Sequence, residues 1–312
     1  MQASILVGDI GGTNARLAIA EKSENGIDIK NINIRCCNDY NGLEAAIEDC
    51  NFILPKYAVF ALAAPNNAQE MHFTHNDWVV SRAKIKAHFG FEKVVLINDF
   101  AAQAMAVPYT DKDNLLNIKH GNVMPDSPIV VLGPGTGLGL STLVPIEGKW
   151  HVLPSQGGHQ AFAPKNLIER EILDYLAKND EPITFENLVS GSGLALIYKT
   201  MGKIKGIETP LETPAQIGDA AIKGEDSIAI EAAQILSLML ATFCSNAVLA
   251  KGAMGGCVIC GGVAQKLSKF IQMPEFTARF LNVGAMLDYL KDVPISQNLD
   301  QLAALRGAAA FI

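Results

Sequence analysis

A glycine-rich turn beside an aspartate lies near the start of the chain, where an apolar run at 5–7 leads to Asp9. The turn Gly11-Gly12-Thr13-Asn14 follows, and a second apolar run begins at Leu17. Two short apolar runs around such a turn predict a β-hairpin. Its glycines would let the backbone approach a ligand closely, and its successive N–H groups could bind an anion. Asp9 is placed where a carboxylate could hold a hydrated Mg²⁺ that bridges phosphates; the alternative is an ordinary turn that Asp9 and Thr13 only cap.

The same plan recurs in the middle of the chain. An apolar run at 130–132 leads into the turn Gly133-Pro134-Gly135-Thr136-Gly137, and a further apolar run ends at Leu143. Neither turn has the glycine spacing of a P-loop or of a dinucleotide-binding Rossmann domain, so both folds are disfavoured. Two such hairpins, one opening each half of the chain, resemble the layout of sugar kinases, actin and heat-shock ATPases. The resemblance implies an α/β fold of two actin-like, ribonuclease H-like domains with a nucleotide in the interdomain cleft.

A second aspartate follows a predicted strand. The apolar run at 94–97 delivers Asn98 and Asp99 at its carboxyl end, where α/β sheets bind ligands. A sugar hydroxyl that attacks a γ-phosphoryl group needs a carboxylate to accept its proton, and Asp99 is the candidate for this general base. The alternative is that Asp99 caps the helix predicted from Phe100. The two glycine-rich hairpins favour the base.

Three polar side chains in the second half of the chain could contact sugar hydroxyls. Gln156 and His159 flank a Gly-Gly bend, and Glu186 lies one turn before a Ser-Gly-Ser-Gly run and a helix predicted from Leu194. Each side chain can bond several hydroxyls, although a structural histidine and a solvated carboxylate are the alternatives. A second glycine pair, Gly261-Gly262, ends an apolar strand, where an adenine or ribose could press on the backbone. There the alternative is a plain strand-to-helix turn.

The length and composition predict two folded domains. The chain has 312 residues, of which 49% are hydrophobic and 18% are charged, and these values suit a globular protein with two domains of ordinary size. We expect a small α/β domain at 1–108 plus 298–312 and a large α/β domain at 109–297. An alanine-rich helix from Leu302 to the end of the chain is expected to pack on the first domain.

The charge, the cysteines and the apolar runs narrow the possible partners. A net charge of −7 argues against nucleic acid or an anionic membrane as the main partner. The six cysteines have no zinc-finger spacing, and Cys257 and Cys260 lie in an apolar run, so we expect buried free thiols and a cytoplasmic protein. Because the first strand is predicted within four residues of Met1, we expect no signal peptide. The apolar run at 235–250 is short for a bilayer span of about 20 residues and predicts a buried helix.

Taken together, the motifs resemble the bacterial glucokinases, the ATP-dependent group outside the ROK family within the hexokinase and actin-like superfamily. Order and spacing match over nearly the whole chain, at 8–17, 97–100, 132–139 and Gly157-Gly158-His159. ROK kinases carry a cysteine-rich zinc motif after their Gly-His, and His159 is followed by a different sequence, so no zinc is expected. The family resemblance implies a homodimer whose domains close over glucose.

The resemblance also implies a role for each candidate residue. Asn98, Asp99, His159 and Glu186 would contact the sugar hydroxyls, with Asp99 taking the proton of the 6-hydroxyl. The residues expected to bind ATP, with Mg²⁺ held through water by the first aspartate, are Gly8, Asp9, Ile10, Gly11, Gly12, Thr13, Asn14, Gly135, Thr136, Gly261 and Gly262.

One departure from the family pattern bears on specificity, because Gln156 stands where the family has a sugar-binding glutamate. Glutamine keeps one acceptor, gains a donor and loses the charge, which could weaken glucose binding or admit a 2-keto sugar acid. Two further departures, at 284–286 and 303–307, put the edge of the nucleotide site or the dimer surface in doubt but leave the chemistry untouched.

We therefore expect an ATP:hexose 6-phosphotransferase that acts on glucose. The alternative within the same fold is a kinase for another hexose or a 2-keto sugar acid. The non-enzymatic alternatives are a filament-forming ATPase and a sugar-sensing regulator, and the chain has no recognisable DNA-binding module for the latter.

Overall fold

The computed structural model describes residues 3–24, 26–63, 70–72, 78–177 and 182–312. Within them the strands, numbered along the chain, are β1 (Ala3–Ile10), β2 (Asn14–Ser23), β3 (Gly26–Cys36), β4 (Tyr57–Leu62), β5 (Glu70–His72), β6 (Val79–Ser81), β7 (Lys93–Asn98), β8 (Leu115–Lys119), β9 (Ile129–Pro134), β10 (Leu138–Ile146), β11 (Lys149–Ser155), β12 (Gly256–Ile259) and β13 (Ile295–Asn298). The α-helices are α1 (Leu43–Asp49), α2 (Arg82–Phe89), α3 (Asp99–Ala106), α4 (Leu167–Leu176), α5 (Phe185–Leu188), α6 (Gly191–Lys205), α7 (Pro214–Lys223), α8 (Ser227–Lys251), α9 (Gly262–Lys266), α10 (Ser268–Ile271), α11 (Pro274–Phe280), α12 (Leu287–Leu290) and α13 (Ala303–Ala309).

The chain forms two compact units. The first comprises Met1–Asn114, Trp150–Pro154 and Asp300–Ile312, and the second comprises Leu115–Lys149 and Ser155–Leu299. The domain bounds expected from the sequence stay a prediction.

A five-stranded sheet with the order β3-β2-β1-β4-β7 forms the centre of the first unit. β1 pairs antiparallel with β2, while β4 runs parallel to β1 and β7 runs parallel to β4. Successive side chains of a strand point to opposite faces of the sheet. Leu6 and Phe60 therefore join a core with residues of α1 and α2, whereas Val7 and Val59 join a core with residues of α3 and α13. The alanine-rich tail helix thus packs on the first unit, as predicted.

A second sheet repeats this arrangement, with the order β11-β10-β9-β12-β13-β8. β9 pairs antiparallel with β10, β12 runs parallel to β9, and β13 runs parallel to β12. If the strands of each sheet are counted from its hairpin, both sheets have the order 3-2-1-4-5, and β8 adds an outer strand to the second. The repeated order confirms the predicted α/β fold of two actin-like, ribonuclease H-like units.

Two elements differ from what the sequence predicts. The segment at 108–128, for which the sequence predicts no strand, contains β8, which pairs antiparallel with β13. Helix α6 begins at Gly191 rather than at Leu194. The Ser190 hydroxyl accepts the N–H of Gly193 at 3.0 Å and caps the helix there, which starts it three residues earlier.

Helix α8 is long and apolar enough to cross a membrane by length and composition alone. Most of it is nevertheless buried in the core of the second unit, where Leu240 and Phe243 are fully enclosed. It is the buried core helix that the sequence predicts. Cys257 and Cys260 are buried as well, and both thiols are free.

Candidate active site

The first glycine-rich turn joins β1 to β2 and is held by backbone hydrogen bonds. The N–H of Gly11 donates to the carbonyl of Asn14 at 2.9 Å, and the N–H of Cys37 donates to the carbonyl of Thr13 at 2.8 Å. The side chains of Thr13 and Asn14 are exposed. Backbone hydrogen bonds therefore hold the turn in place, while the side chains of Thr13 and Asn14 face the solvent.

Gly8 and Ile10, both predicted to contact the nucleotide, are buried beneath this turn. A Cβ at Gly8 would lie 2.7 Å from the Phe60 ring and 3.1 Å from Leu17. The need for glycine at position 8 is therefore explained by packing of the first core. In this geometry Gly8 and Ile10 support the turn, and a ligand could reach residues 11–14.

Asp9 and Asp99 lie at the carboxyl ends of two strands that are separated by β4. The register places Asp9 beside Ala61 and Ala61 beside Ile97, which is two residues before Asp99. Neighbouring strands are about 4.8 Å apart, so Asp9 lies about 10 Å across the sheet from Ile97. Asp9 and Asp99 thus come to the same edge of the sheet, as the sequence predicts for ligand-binding groups.

Burial raises the pKa of Asp99 to about 6, and the nearby Asp9 carboxylate adds to the rise while the N–H of Phe100 opposes it. Burial also raises the pKa of Asp9, and the Arg16 guanidinium opposes that rise. The two carboxylates therefore form a partly desolvated acidic pair, with Arg16 as the opposing charge.

Asn98, rather than Asp99, occupies the capping position of helix α3. Its side-chain oxygen accepts the N–H groups of Phe100 at 3.0 Å and Ala101 at 3.3 Å. Asp99 is the first residue of the helix, and its Oδ1 also accepts the Phe100 N–H at 2.8 Å. The alternative in which Asp99 serves as the cap is therefore wrong, because Asn98 fills that position.

The second glycine-rich turn borders a cavity of about 680 Å³ in the second unit, a volume within the usual range for small-molecule sites. Gly135, Thr136 and Gly262, three of the residues predicted to bind ATP, line it. The lining is otherwise mostly apolar, with Leu194 and Val263 among its residues, and such walls suit a flat heterocycle.

The two members of the pair Gly261-Gly262 have different reasons to be glycine. Gly261 has φ +93°, and a Cβ there would overlap the carbonyl of Pro134. At Gly262, and likewise at Gly135, a Cβ would meet no atom of the described residues within 4 Å. The space beside Gly135 and Gly262 belongs to the cavity, whereas Gly261 is required by the backbone.

Glu186 and His159 come together on the other side of the second turn. Glu186 Oε2 accepts the N–H of Leu138 at 2.8 Å, and Glu186 Oε1 lies 3.6 Å from His159 Nε2. His159 is more than half exposed, and Gln156 is exposed and makes no side-chain capping bond. The structure therefore joins Glu186 to His159 directly and places Gln156 directly before the short helical turn that carries the histidine.

Some residues of the cavity carry no predicted role. Gly191 and Ser192 begin helix α6, and the N–H of Gly191 donates to the Gly135 carbonyl at 2.9 Å. Lys266 crosses the cavity wall, donating to the Ala215 carbonyl at 3.0 Å and pairing with Asp219. The Ser-Gly-Ser-Gly run could have indicated Gly191 and Ser192 as candidates, since the first residues of a helix present N–H groups without partners inside the helix.

The fold and the two turns define the class of the protein: it has the actin-like α/β fold of the sugar kinases. The family model for glucokinase matches residues 6–312. A glucokinase of Hahella chejuensis is 32% identical over 308 residues, which cover 97% of this chain and 95% of that protein. The chain belongs to the glucokinase family.

Solved structures agree with this assignment. A glucokinase from an Antarctic psychrotroph has a TM-score of 0.89 and 33% identity, over 99% of this chain and 98% of that one. A glucokinase from Balamuthia mandrillaris in complex with glucose shares the fold, with a TM-score of 0.80 at 19% identity over 99% of this chain and 93% of that chain.

Proposed function

We propose that this protein transfers the γ-phosphoryl group of ATP to the 6-hydroxyl of glucose. Membership of the glucokinase family supports the reaction. The main support for the proposal is the position of Asp99, whose partly buried carboxylate lies at the end of β7. Asn98 caps helix α3, so the Asp99 side chain is not needed as the cap. A carboxylate at the end of a buried strand is the group such a transfer needs as its base.

Asp99 would accept the proton of the attacking hydroxyl. Burial raises the pKa of Asp99 to about 6, and this value keeps the carboxylate largely ionised at neutral pH and makes it a stronger base than an ordinary aspartate. Its Oδ1 accepts the Phe100 N–H, which fixes the carboxylate at the start of α3. The second carboxylate oxygen would face the sugar.

The two turns would hold the triphosphate. Residues 11–14 of the first turn and Thr136 of the second would contribute polar groups, Gly135 would let the phosphates approach its backbone, and the cavity beside Gly262 would take the adenosine. Gly8, Ile10 and Gly261 would support these contacts through packing.

The environment of Asp9 fits a hydrated Mg²⁺. Burial raises the pKa of Asp9, and the Arg16 guanidinium only partly opposes the rise. The negative charge of the ionised carboxylate is therefore not fully balanced by Arg16. A divalent cation bound through water would be stabilised there. When bound, Mg²⁺ neutralises charge on the phosphate oxygens.

Asn98, Gln156, His159 and Glu186 would bind the other sugar hydroxyls. Closure over the sugar would exclude water, which would otherwise compete with the sugar as phosphoryl acceptor. From the family resemblance we further propose a homodimer that works in the cytoplasm, with neither nucleic acid nor membrane as a partner.

Gln156 favours a second candidate substrate. Its neutral, exposed amide replaces the carboxylate of the family pattern and would accept a ketone or carboxylate that a glutamate would repel. A kinase for another hexose or for a 2-keto sugar acid is therefore the alternative function.

Initial rates with ATP and Mg²⁺ across hexoses, aldonic acids and 2-keto sugar acids test both proposals. We expect glucose to have the highest kcat/KM, and Gln156→Glu to lower the KM for glucose about fivefold because a charged acceptor bonds hydroxyls more strongly. Gln160→Glu, which adds the same charge at an exposed position nearby, is the matched control and should leave the KM unchanged. A higher kcat/KM for a sugar acid would establish the alternative, and no transfer to any sugar would refute both.

A further inference from the structure

We propose that Glu186 is a positioning residue for the nucleotide as well as a contact for the sugar. Its carboxylate fixes the second turn, defined here as residues 133–138, so ATP affinity depends on Glu186 even when no sugar is present. The inference rests on the proposed function for its choice of ligand.

The first supporting contact is the bond from the Leu138 N–H to Glu186 Oε2, at 2.8 Å. Leu138 is buried, and it is both the last residue of the turn and the first residue of β10. A buried N–H left without its acceptor is costly, so loss of this carboxylate would free the end of the turn to move.

The second supporting contact is at Gly137. A Cβ there would lie 2.5 Å from Glu186 Oε2, so the carboxylate rests directly on the backbone of the turn. Any side chain at position 137 would displace the carboxylate. The need for glycine at this position is therefore explained by Glu186.

The same segment of chain also holds the middle of the turn. The N–H of Gly191 donates to the Gly135 carbonyl at 2.9 Å, five residues after Glu186. On the opposite side Gly158 packs so closely on the Leu138 backbone that a Cβ would overlap the Leu138 carbonyl. The turn is thus clamped between the 186–191 segment and the Gly157-Gly158-His159 bend.

The two oxygens of Glu186 therefore have different neighbours. Oε2 is bonded to the second turn, and Oε1 lies 3.6 Å from His159 Nε2, where the sugar hydroxyls are proposed to bind. A sugar that engages Oε1 and His159 would restrain the carboxylate that orients the turn. Sugar binding and nucleotide binding would then strengthen each other through one side chain.

Calorimetric titration with a non-hydrolysable ATP analogue and Mg²⁺, without sugar, tests the proposal. We expect Glu186→Ala to raise the dissociation constant about tenfold, and Glu186→Gln, whose amide oxygen can still accept the Leu138 N–H, to stay within about threefold of wild type. His159→Ala should bind the analogue like wild type, since it removes the neighbour of Oε1 and leaves the bond from the Leu138 N–H to Oε2 in place. Glu171→Ala, an exposed glutamate in α4, is the matched control and should also bind normally.

Gly137→Ala perturbs the same contact from the side of the turn and should weaken the analogue at least fivefold, so the test does not depend on one variant folding. Unchanged sugar-free affinity in Glu186→Ala or in Gly137→Ala would overturn the proposal. Equal weakening by Glu186→Gln and Glu186→Ala would also overturn it, since both would then act through the charge. Failure of the proposed function would instead appear as a wild-type protein that binds the analogue but phosphorylates no glucose.

Discussion

The neighbouring glycines Gly261 and Gly262 allow the nucleotide cavity to be tested by two single-methyl substitutions. Gly261→Ala places a Cβ against the Pro134 carbonyl at a residue with φ +93°, whereas Gly262→Ala places it in open cavity space at the first residue of α9. The two variants differ by one position in the sequence and carry the same added atom. We expect them to affect stability and nucleotide binding in opposite ways.

The magnitudes follow from these environments. A left-handed conformation costs a residue with a side chain about 1–2 kcal/mol, and overlap with a fixed backbone atom adds about 1–3 kcal/mol, so Gly261→Ala should destabilise the fold by about 3 kcal/mol. Gly262→Ala should raise stability by about 0.5 kcal/mol, because alanine at a compatible position restricts the unfolded chain. The same methyl would meet the bound adenosine, and a clash of about 1–3 kcal/mol weakens ATP binding by roughly tenfold or more.

Differential scanning fluorimetry and titration with an ATP analogue measure the two effects separately. Gly261→Ala should lower Tm by several degrees, and Gly262→Ala should keep or raise Tm while its analogue affinity falls. Gly42→Ala, at the start of α1 in the first unit, is the control and should leave analogue affinity unchanged. Wild-type affinity in Gly262→Ala would show that adenosine does not occupy this cavity, and an unchanged Tm in Gly261→Ala would show that the close approach to Pro134 is not required.

Three further results are expected. The kcat/KM for glucose should be level above pH 7 and fall about tenfold per pH unit below about 6, because burial raises the pKa of Asp99 to about 6 and the protonated acid cannot accept the sugar proton; a profile that stays level to pH 5 would contradict this. Arg279→Ala should destabilise the protein by about 3 kcal/mol in urea unfolding, because it leaves the fully buried Glu169 carboxylate without its charged partner at 2.8 Å. A loss of stability as small as that of Glu171→Ala would show that the ion pair is unimportant. Lys266→Ala should weaken the ATP analogue severalfold with little change in glucose KM, and an equal change in both would place Lys266 outside the nucleotide site.

Local patterns predicted the parts of the molecule that depend on local sequence. The apolar runs around each glycine-rich turn identified both hairpins, and the apolar run at 235–250 predicted the buried helix α8. The order of the two hairpins and their likeness to a known family supplied the fold. Each hairpin pattern spans about fifteen residues and occurs twice, so the spacing of residues along the sequence could reveal it.

Other features depend on contacts between distant residues, which no local pattern encodes. The five-residue segment β8 becomes a strand because β13, far along the chain, pairs with it, and the buried Lys119 amine there bonds to three carbonyls. Gly8 resembles a phosphate-binding glycine by position, and only the approach of Phe60 reveals its packing role. The bond between Glu186 and Leu138 joins residues 48 positions apart and has no signature in the sequence.

The kinetics of Asp99→Asn test most directly whether Asp99 is the general base for phosphoryl transfer. Asparagine keeps the size of the side chain and can still accept the Phe100 N–H, but it cannot take a proton at neutral pH. Glucose 6-phosphate formation and ATP-analogue binding should be measured on the same preparations. We expect wild-type analogue affinity together with a kcat lowered by about 10²–10⁴-fold, the contribution typical of a general base. A kcat within tenfold of wild type would contradict it.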